Sequence, residues 1–326
     1  MHRITRQVHN TYQANAYNLR RSIISKLLPS LGLMLQGVRR HATAVSRTLP
    51  SYTLPCLDAP DLSHASQVAH INQVSEQLEQ RGMLKISLGF PDENSDYLKK
   101  LLHSLHRHRG HQLPISHSAT RGWFWDVRPS KENFQAENHQ ARSETMDEFP
   151  WHTDCSYEDP PPRYFALQVL QHDRCGGGTL SVMNVERLSK LLSPDTQSVL
   201  TAPEYRITIP PEFIKDPNQK DIIGSVFVTD LDSQPTMIRF REDILTPLTE
   251  RAGRALDELK EALLREEVHA YSTVHLKSAD LPKGSIILMD NRRWLHARND
   301  IKDPERHLRR VRWDACAFDK RASLGQ

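Results

Sequence analysis

The sequence is poor in cysteine, glycine and long apolar segments. Only 13 of its 326 residues are glycine, and 25% are charged, which excludes a collagen-like or fibrous chain. An apolar run at residues 27–38 is broken by Pro29 and Gly32. It is shorter than the ~20 residues that a spanning helix needs, so no membrane segment is predicted. The cysteines form no CxxC pair, which argues against a disulfide framework or a zinc finger and indicates a reducing compartment; they are Cys56, Cys155, Cys175 and Cys316.

Acidic residues are missing from the first 57 positions, which carry eight lysines and arginines. The other 269 residues carry 35 basic and 40 acidic side chains. We therefore divide the chain into a basic arm, residues 1–50, and one domain, residues 58–326. Apolar residues at helical spacing within 19–28 are typical of a mitochondrial presequence, which predicts the matrix as the location. The alternatives are a basic tail or a wrongly assigned start codon, and then a cytoplasmic protein. The acidic body has no basic stripe with interleaved aromatics, so nucleic-acid binding is not predicted.

Hydrophobic periodicity predicts a mostly β domain with flanking helices. Helical patterns cover residues 65–80, 96–106, 185–200 and 246–266, and a buried strand is predicted at 83–88. From residue 164 onward there are eight short β-rich segments, at 164–170, 179–183, 205–209, 224–228, 236–240, 268–275, 285–289 and 308–317. So many short strands indicate a sandwich or barrel rather than a parallel α/β sheet.

The strongest local signal for chemistry is the pair His152 and Asp154, in the run WHTD. Residues two apart in a strand point to the same side, so this imidazole and this carboxylate can converge on one metal ion. Taken alone the pair is weak, because a simple His–Asp hydrogen bond or two solvated side chains would give the same pattern.

The far end of the chain adds the groups that a redox metal site needs. A turn and a buried strand at 282–291 lead to His296, and Arg306 and Arg310 follow. Two histidines and one carboxylate form a facial triad that leaves positions open on Fe(II). An arginine on the next strand supplies the planar, bidentate fork that suits a dicarboxylate cosubstrate.

Four motifs, in order along the chain, give residues 65–320 a family resemblance. They are HTD at 152–154, GGGT at 176–179, DNRRWLH at 290–296 and RHLRR at 306–310. With these motifs the chain resembles the TauD/TfdA-type (clavaminate synthase-like) Fe(II)/2-oxoglutarate dioxygenases. The resemblance implies a double-stranded β-helix, or jelly-roll, core.

The resemblance also implies roles for single residues. His152, Asp154 and His296 match the iron ligands. Arg306 and Thr179 match the residues that hold the distal carboxylate of 2-oxoglutarate, and Arg310 matches a second arginine that faces 2-oxoglutarate or an anionic substrate. Which of the two arginines clamps 2-oxoglutarate is left open.

The implied activity uses Fe(II), 2-oxoglutarate and O₂ to hydroxylate or desaturate a C–H bond of a small organic molecule, with release of succinate and CO₂. One alternative is a zinc hydrolase that uses the same triad, against which the carboxylate clamp argues. The other is a degenerate binding protein of the same fold, against which the intact triad argues. Neither the substrate nor the oligomeric state is predicted.

Other residues receive less specific predictions. Tyr157, Trp123, Trp125 and Arg310 are candidates for the substrate pocket, although the aromatics, with Phe124, also fit plain core packing. Strand alternation turns Cys155 away from Asp154, so a packed small side chain is expected. Asp290 and Asn291 are expected to end the strand and to bond the backbone near His296, supporting the ligands rather than acting as ligands. Arg309 and Arg312 are assigned the opposite strand phase from Arg306 and Arg310 and are expected to face solvent. The remaining histidine cluster is interpreted as a solvated stretch rather than a second metal site; it comprises His103, His106, His108, His111 and His117.

Overall fold

The computed structural model describes residues 52–116, 122–130, 140–229 and 235–318. The basic arm therefore lies outside the described residues. The strands are β1 (Cys56–Ala59), β2 (Met83–Leu88), β3 (Trp125–Val127), β4 (Phe149–His152), β5 (Pro162–Gln171), β6 (Leu180–Asn184), β7 (Tyr205–Thr208), β8 (Asp221–Gly224), β9 (Phe227–Thr229), β10 (Pro235–Ile238), β11 (Leu245–Pro247), β12 (Thr273–Leu276), β13 (Ser285–Asp290), β14 (Trp294–Arg298) and β15 (His307–Ala315). The α-helices are α1 (Val68–Arg81), α2 (Asp96–Arg109), α3 (Val185–Ser189), α4 (Pro194–Leu200), α5 (Glu250–Leu264) and α6 (Glu266–Ser272).

Two sheets form the body of the domain. The larger has the strand order β1-β2-β13-β5-β15-β3, and the smaller has the order β12-β6-β14-β4. Their inward side chains share one core, in which Phe165 and Leu167 of β5 and Ile287 of β13 meet Leu180 and Val182 of β6. Two facing, mainly antiparallel sheets with crossed connections confirm the predicted jelly-roll class.

Strand alternation explains where the flanking helices pack. Tyr164 and Ala166 of β5 and Leu288 of β13 point to the opposite face from Phe165 and Leu167. That outer face is covered by the apolar stripes of α1 and α2, which begin and end within a few residues of the predicted bounds. Both faces of the larger sheet are therefore buried, and the interior face is left to build a site.

Four predicted elements were wrong in detail. The strand predicted at 224–228 spans the break between β8 and β9, and the helix predicted from residue 246 begins only at Glu250, after β11. The helix predicted at 185–200 is two helices, because Pro194 begins α4 and the Ser193 side chain accepts the Thr196 N–H as its cap. The segment predicted as a strand at 268–275 begins as helix α6, and only its end, in β12, is a strand, which pairs with β6. Within the described ranges, no helix is long and apolar enough to cross a membrane.

A strand that the sequence analysis did not predict carries one of the motif residues. β14 lies between β4 and β6 in the smaller sheet, and its central residue is His296. In this register His296 is the direct partner of His152 on β4 and of Val182 on β6. Sheet pairing therefore brings together two histidines that are 144 positions apart in the sequence.

Candidate active site

His152, Asp154 and His296 lie together in the interior of the domain. Nε2 of each histidine is 3.9 Å from Oδ1 of Asp154, and the two imidazole centroids are 4.1 Å apart. One ligand atom from each residue lies within 4.8 Å of the others, and all three residues are buried. Within the described ranges this is the only group of three or more His, Cys, Asp or Glu residues spaced to hold one metal ion.

Asp154 reaches the site by a different route from the one predicted. β4 ends at His152, and Asp154 lies in a turn that continues through Cys155, whose φ of 52° is left-handed. Strand alternation therefore does not place this carboxylate. Asn291 does: its side chain bonds both the N–H and the carbonyl of Asp154, each at 2.8 Å. Asp290 ends β13 and accepts the N–H groups of Arg292 and Arg293, as predicted for the backbone near His296. Asn291 supports a ligand rather than acting as one, as expected, but it does so at the Asp154 turn.

Both histidines are uncharged at neutral pH. Complete burial lowers the pKa of His296 to about 4, and burial followed by the neighbouring His296 lowers the pKa of His152 well below its ordinary value. Nδ1 of His152 is 2.8 Å from the Pro150 carbonyl, to which it donates as Nδ1–H. This bond leaves the Nε2 lone pair of His152 facing Asp154, the tautomer that a metal ligand requires.

Asp154 is held in its charged form by arginines. Burial alone would raise the pKa of its carboxyl, but Arg310 and Arg312, with the two histidines, hold that pKa well below its usual range. Nη1 of Arg310 donates to Oδ1 at 3.0 Å, while Oδ2 has no hydrogen-bond partner among the described residues. Two neutral imidazoles and one carboxylate with an open oxygen form a donor set that fits Fe(II) or another divalent transition metal.

A cavity of about 430 Å³ opens beside the two histidines and contains Arg306. This arginine is 5% exposed, and its Nη1 has no hydrogen-bond partner among the described residues. Burial, followed by the nearby Arg298, lowers the pKa of Arg306 to about 9, so the side chain is still charged at neutral pH. A buried guanidinium with an open donor is a site that a carboxylate would complete.

The GGGT turn is explained by its contact with Arg306. Gly178 has a φ of +65°, and a Cβ at this position would lie 2.8 Å from Nε of Arg306. Only glycine both adopts this backbone and leaves room for the arginine stem. Thr179 follows, with its N–H bonded to Oδ1 of Asn299 at 2.7 Å. Gly178 and Leu180 line cavities that Arg306 also lines, whereas Thr179 is not among the lining residues.

The three aromatic residues predicted for the substrate pocket lie at different distances from the metal group. Tyr157 lines a second cavity, of about 350 Å³, together with His152 and Asp154. Trp125 is fully buried behind that wall, with its ring 5.7 Å from Phe213. Trp123 packs with the helix-covered face of the larger sheet, beside His103, and the structure does not bring it to the metal group.

Two predictions about neighbouring residues were wrong. Arg312 does not face solvent: it is 1% exposed, shares the strand phase of Arg310 and donates to Sγ of Cys155. Arg309 is partly buried and binds Asp126 at 2.8 Å. Cys155 is buried as expected, but through its turn rather than through strand alternation, and its thiol lies 3.6 Å from the Tyr157 hydroxyl.

The histidine cluster does not assemble as a site within the described residues. His111 is buried, accepts the Trp313 indole N–H at 3.1 Å and stacks on Tyr164, whereas His106 bonds the His111 carbonyl. His117 lies outside the described residues. Burial separates His111 from His103, His106 and His108, which are exposed.

Three arginines at the site were not singled out from the sequence. Arg298 is two positions after His296 on β14, and the period of two could have revealed it. Arg142 lies in a 3₁₀ helix, and Arg241 faces His152 through an isolated β-bridge. No local pattern marks these two, because their place depends on contacts between distant segments.

Comparisons with known proteins agree with this geometry. The family model described as taurine catabolism dioxygenase TauD, TfdA family matches residues 55–312. Over 154 residues, 46% of this chain, it is 30% identical to L-asparagine oxygenase of Streptomyces coelicolor. Over 180 residues, 52% of this chain, it is 26% identical to an alpha-ketoglutarate-dependent sulfonate dioxygenase of Saccharomyces cerevisiae. The aligned parts span 42% and 35% of these two relatives.

Solved structures share the fold at low sequence identity. Asparagine oxygenase in complex with Fe(II), 2S,3S-3-hydroxyasparagine and succinate superposes with a TM-score of 0.59 at 20% identity, covering 80% of this chain and 85% of that one. The non-heme iron oxygenase OrfP with Fe and alpha-ketoglutaric acid gives a TM-score of 0.57 at 16% identity, covering 80% and 95%.

Proposed function

Because the chain belongs to the taurine catabolism dioxygenase TauD, TfdA family, we propose that it is an Fe(II)- and 2-oxoglutarate-dependent dioxygenase. Its substrate is a small organic molecule, in which an unactivated C–H bond is hydroxylated or desaturated. One observation carries the proposal: the two histidines of a buried two-histidine, one-carboxylate group line the same cavity as Arg306, whose Nη1 is open.

His152, Asp154 and His296 would hold the iron. The Nδ1 bond of His152 and the grip of Asn291 on Asp154 fix two of the three donors before metal arrives. When bound, Fe(II) supplies the activation of O₂, coupled to oxidative decarboxylation of 2-oxoglutarate. In hydroxylation one oxygen atom enters succinate and the other enters the product, so 2-oxoglutarate, O₂ and substrate yield succinate, CO₂ and alcohol.

Arg306 would bind the distal carboxylate of 2-oxoglutarate. Its guanidinium is charged and almost fully removed from water, so a carboxylate there forms charge-assisted hydrogen bonds in a low-dielectric setting. Arg310 is engaged with Asp154 instead, which favours Arg306 as the clamp. Thr179 stays a predicted contact of the same carboxylate, one residue beyond the turn that packs on Arg306.

Aromatic rings would exclude water from the reacting centre. Phe149 stacks on His152 with centroids 3.7 Å apart, and Phe165 lies 4.6 Å from the His296 ring. Both rings line the cavity that Arg306 shares. Apolar walls around neutral imidazoles keep the local dielectric low and restrict the oxidising chemistry to the bound substrate.

The two alternative functions are less well supported. A zinc hydrolase has no use for a buried carboxylate clamp such as Arg306. A degenerate binding protein would not need two neutral histidines and an ionised aspartate within 4.8 Å of one another. The retained combination of triad and clamp favours an oxygenase.

Anaerobic spectroscopy on the purified full-length chain tests the proposal. Addition of Fe(II) and 2-oxoglutarate should produce a weak visible charge-transfer band, and admission of O₂ should release succinate. With Zn(II) in place of Fe(II), neither signal should appear. If Fe(II) and 2-oxoglutarate give no band, the proposed function is wrong.

We propose in addition that residues 1–50 direct import into mitochondria, since they carry basic residues and no acid. A fluorescent protein fused behind these residues should enter the matrix. The same fusion with the eight basic residues of the arm changed to glutamine should stay in the cytoplasm. Cytoplasmic fluorescence of the unmodified fusion would favour the basic-tail alternative.

A further inference from the structure

Asp173, two residues after the end of β5, is a buried carboxylate outside the metal group, with 3% of its surface exposed. Its Oδ1 accepts the N–H groups of Cys175 and Gly177, at 2.8 Å and 3.1 Å. Its Oδ2 accepts those of Lys302 and Asp303, at 2.7 Å and 3.1 Å. One side chain therefore binds four backbone donors and joins its own turn to a segment that begins 129 positions further along the chain.

The two joined segments are the ones that surround Arg306. The first contains Gly178, where a Cβ would lie 3.0 Å from Cδ of Arg306 and 3.3 Å from Cβ of Asp173. The second leads into β15, and the carbonyl of Asp303 accepts the N–H of Arg306 at 3.1 Å. One segment thus packs on the stem of this arginine and the other bonds its backbone, and Asp173 connects the two.

The approach of the two segments leaves no room for a side chain at Gly177. A Cβ there would lie 2.5 Å from the carbonyl oxygen of Asp300, 2.6 Å from the backbone nitrogen of Lys302 and 2.7 Å from Oδ2 of Asp173. The next N–H, that of Gly178, donates to the same Asp300 carbonyl at 2.9 Å. Glycine is required at position 177 because the carboxylate and the second segment fill the space of a side chain.

The four bonds of Asp173 need an ionised carboxylate. Burial alone would raise the pKa of this carboxyl, but the four backbone N–H groups lower the pKa below its ordinary value. An asparagine has the same shape but a single acceptor oxygen, and its NH₂ group would face two backbone donors. The change of carboxylate to amide therefore removes two of the four bonds without creating a cavity.

Asp173 also acts on Arg306 through its charge. Both residues line a third cavity, of about 380 Å³. Burial and the nearby Arg298 lower the pKa of Arg306, and the Asp173 carboxylate acts in the opposite direction. Because both oxygens of Asp173 are already bonded to the backbone, the carboxylate favours the charged guanidinium while Nη1 of Arg306 stays open for a ligand.

We propose that Asp173 is a positioning residue for the 2-oxoglutarate clamp. By joining the turn at 175–178 to the segment at 302–303, its carboxylate fixes the backbone on both sides of Arg306, so that the guanidinium meets the distal carboxylate of the cosubstrate without rearrangement. A guanidinium that is already fixed loses less conformational entropy on binding, which raises the affinity. This inference rests on the proposed function and assigns a residue that supports its cosubstrate site.

Asp173→Asn tests the inference in the full-length protein. Titration of 2-oxoglutarate into the anaerobic Fe(II)-loaded variant, followed by the charge-transfer band, should show about tenfold weaker binding than in the unmodified protein. The affinity for Fe(II) alone, measured by competition with a coloured chelator, should be unchanged, because none of the groups that Asp173 binds is a proposed metal ligand. A general loss of structure would weaken both affinities.

Asp92→Asn is the matched control. The Asp92 carboxylate also binds backbone donors, the N–H groups of Asp96 and Tyr97 at the start of α2, at 2.8 Å and 3.1 Å. This variant should lower the melting temperature and leave the affinity for 2-oxoglutarate unchanged. Equal affinities for 2-oxoglutarate in Asp173→Asn and Asp92→Asn would overturn the positioning role.

A double-variant cycle determines whether Asp173 acts through Arg306. In the Arg306→Met background, Asp173→Asn should weaken 2-oxoglutarate binding no further, because the side chain that Asp173 positions is absent. The same loss of affinity in both backgrounds would show that Asp173 acts independently of the clamp, and the inference would be wrong.

A milder variant decides the question if Asp173→Asn does not fold. Arg174 is half exposed and joins the same two segments through two bonds to the carboxylate of Asp303. Arg174→Gln should fold and weaken 2-oxoglutarate binding about threefold. An unchanged affinity in that variant would then overturn the positioning role.

The measurements also separate this inference from the proposed function. A normal band in the unmodified protein, with unchanged 2-oxoglutarate affinity in folded Asp173→Asn, contradicts the positioning role and leaves the oxygenase intact. Absence of the band in the unmodified protein contradicts the proposed function, and with it the role of Asp173.

Discussion

Asn291 binds both polar groups of the Asp154 backbone, through its Oδ1 to the N–H and its Nδ2 to the carbonyl, each at 2.8 Å. The two residues are 137 positions apart, and both are buried. Asp154 lies in a turn without ladder partners, so this one amide replaces the missing sheet hydrogen bonds. The position of a proposed iron ligand thus depends on a side chain that offers no ligand atom itself.

Replacement of Asn291 should weaken metal binding more than it weakens the fold. Asn291→Ala leaves a buried N–H and a buried carbonyl without partners, at a cost of about 1–3 kcal/mol each. We expect a lower urea midpoint and a weaker affinity for Fe(II), measured by the charge-transfer band. Asn72→Ala, at an exposed position of α1, is the control. Unchanged iron affinity in Asn291→Ala would show that the turn holds Asp154 in position without Asn291.

Removal of any member of the triad should abolish the band and the release of succinate. His152→Ala and His296→Ala each delete one nitrogen donor, and two donors do not hold Fe(II) in competition with water. Asp154→Ala should also lower the melting temperature, because Arg310 then loses its ion pair at 3.0 Å. Survival of the band in His296→Ala would contradict the assignment of the iron ligands.

Arg306→Met should separate 2-oxoglutarate binding from stability. Without the clamp, the 2-oxoglutarate concentration that gives half-maximal succinate release should rise about 100-fold, because two charge-assisted hydrogen bonds are lost. The melting temperature of the ligand-free variant should equal or exceed that of the unmodified protein, because a buried cation with an open donor is removed.

Arg310→Met is the matched variant on the same strand. It deletes the ion pair with Asp154 and should lower the melting temperature of the ligand-free protein. If Arg310→Met rather than Arg306→Met raises the 2-oxoglutarate requirement, the two arginines have the opposite roles.

The stability of the domain should fall as the pH drops below about 6.5, in part through His111. Burial lowers the pKa of His111 from its ordinary value of 6.5, although Asp314 acts in the opposite direction. The unfolded chain then binds more protons than the folded one between the lowered pKa and 6.5. The free energy of unfolding therefore rises with pH across that window. The contribution of His111 is lost as the pH falls through it.

Urea unfolding of the metal-free protein between pH 5 and 7 measures this dependence. His111→Gln should reduce the slope, and His108→Gln, at an exposed position of the same cluster, should not. Equal slopes for His111→Gln and the unmodified protein would show that the pH dependence arises elsewhere.

The sequence predicted the fold class and the groups at the site better than it predicted their surroundings. Alternation and helical spacing are local, so β2, β5, β13 and the first two helices lie close to their predicted ranges. His152 and Asp154 were paired for the wrong reason, since a turn rather than a strand carries the carboxylate. Arg312 was placed in solvent because it was assigned the opposite strand phase, whereas it lies two positions after Arg310, shares its phase and is buried with it.

By itself, the sequence determined which chemical groups this protein has and in what order: two imidazoles and a carboxylate that suit Fe(II), a glycine turn and a later arginine. Those choices are visible because metal and carboxylate binding demand particular side chains at particular spacings. Only the tertiary structure decided that β14 pairs with β4, that Asn291 holds Asp154, and that Arg142 and Arg241 flank the Phe149 ring. The contacts of Arg241 with Phe149, of Asn291 with Asp154 and of His296 with His152 join residues that are 92, 137 and 144 positions apart. Their geometry arises from sheet register and packing, which no local pattern encodes.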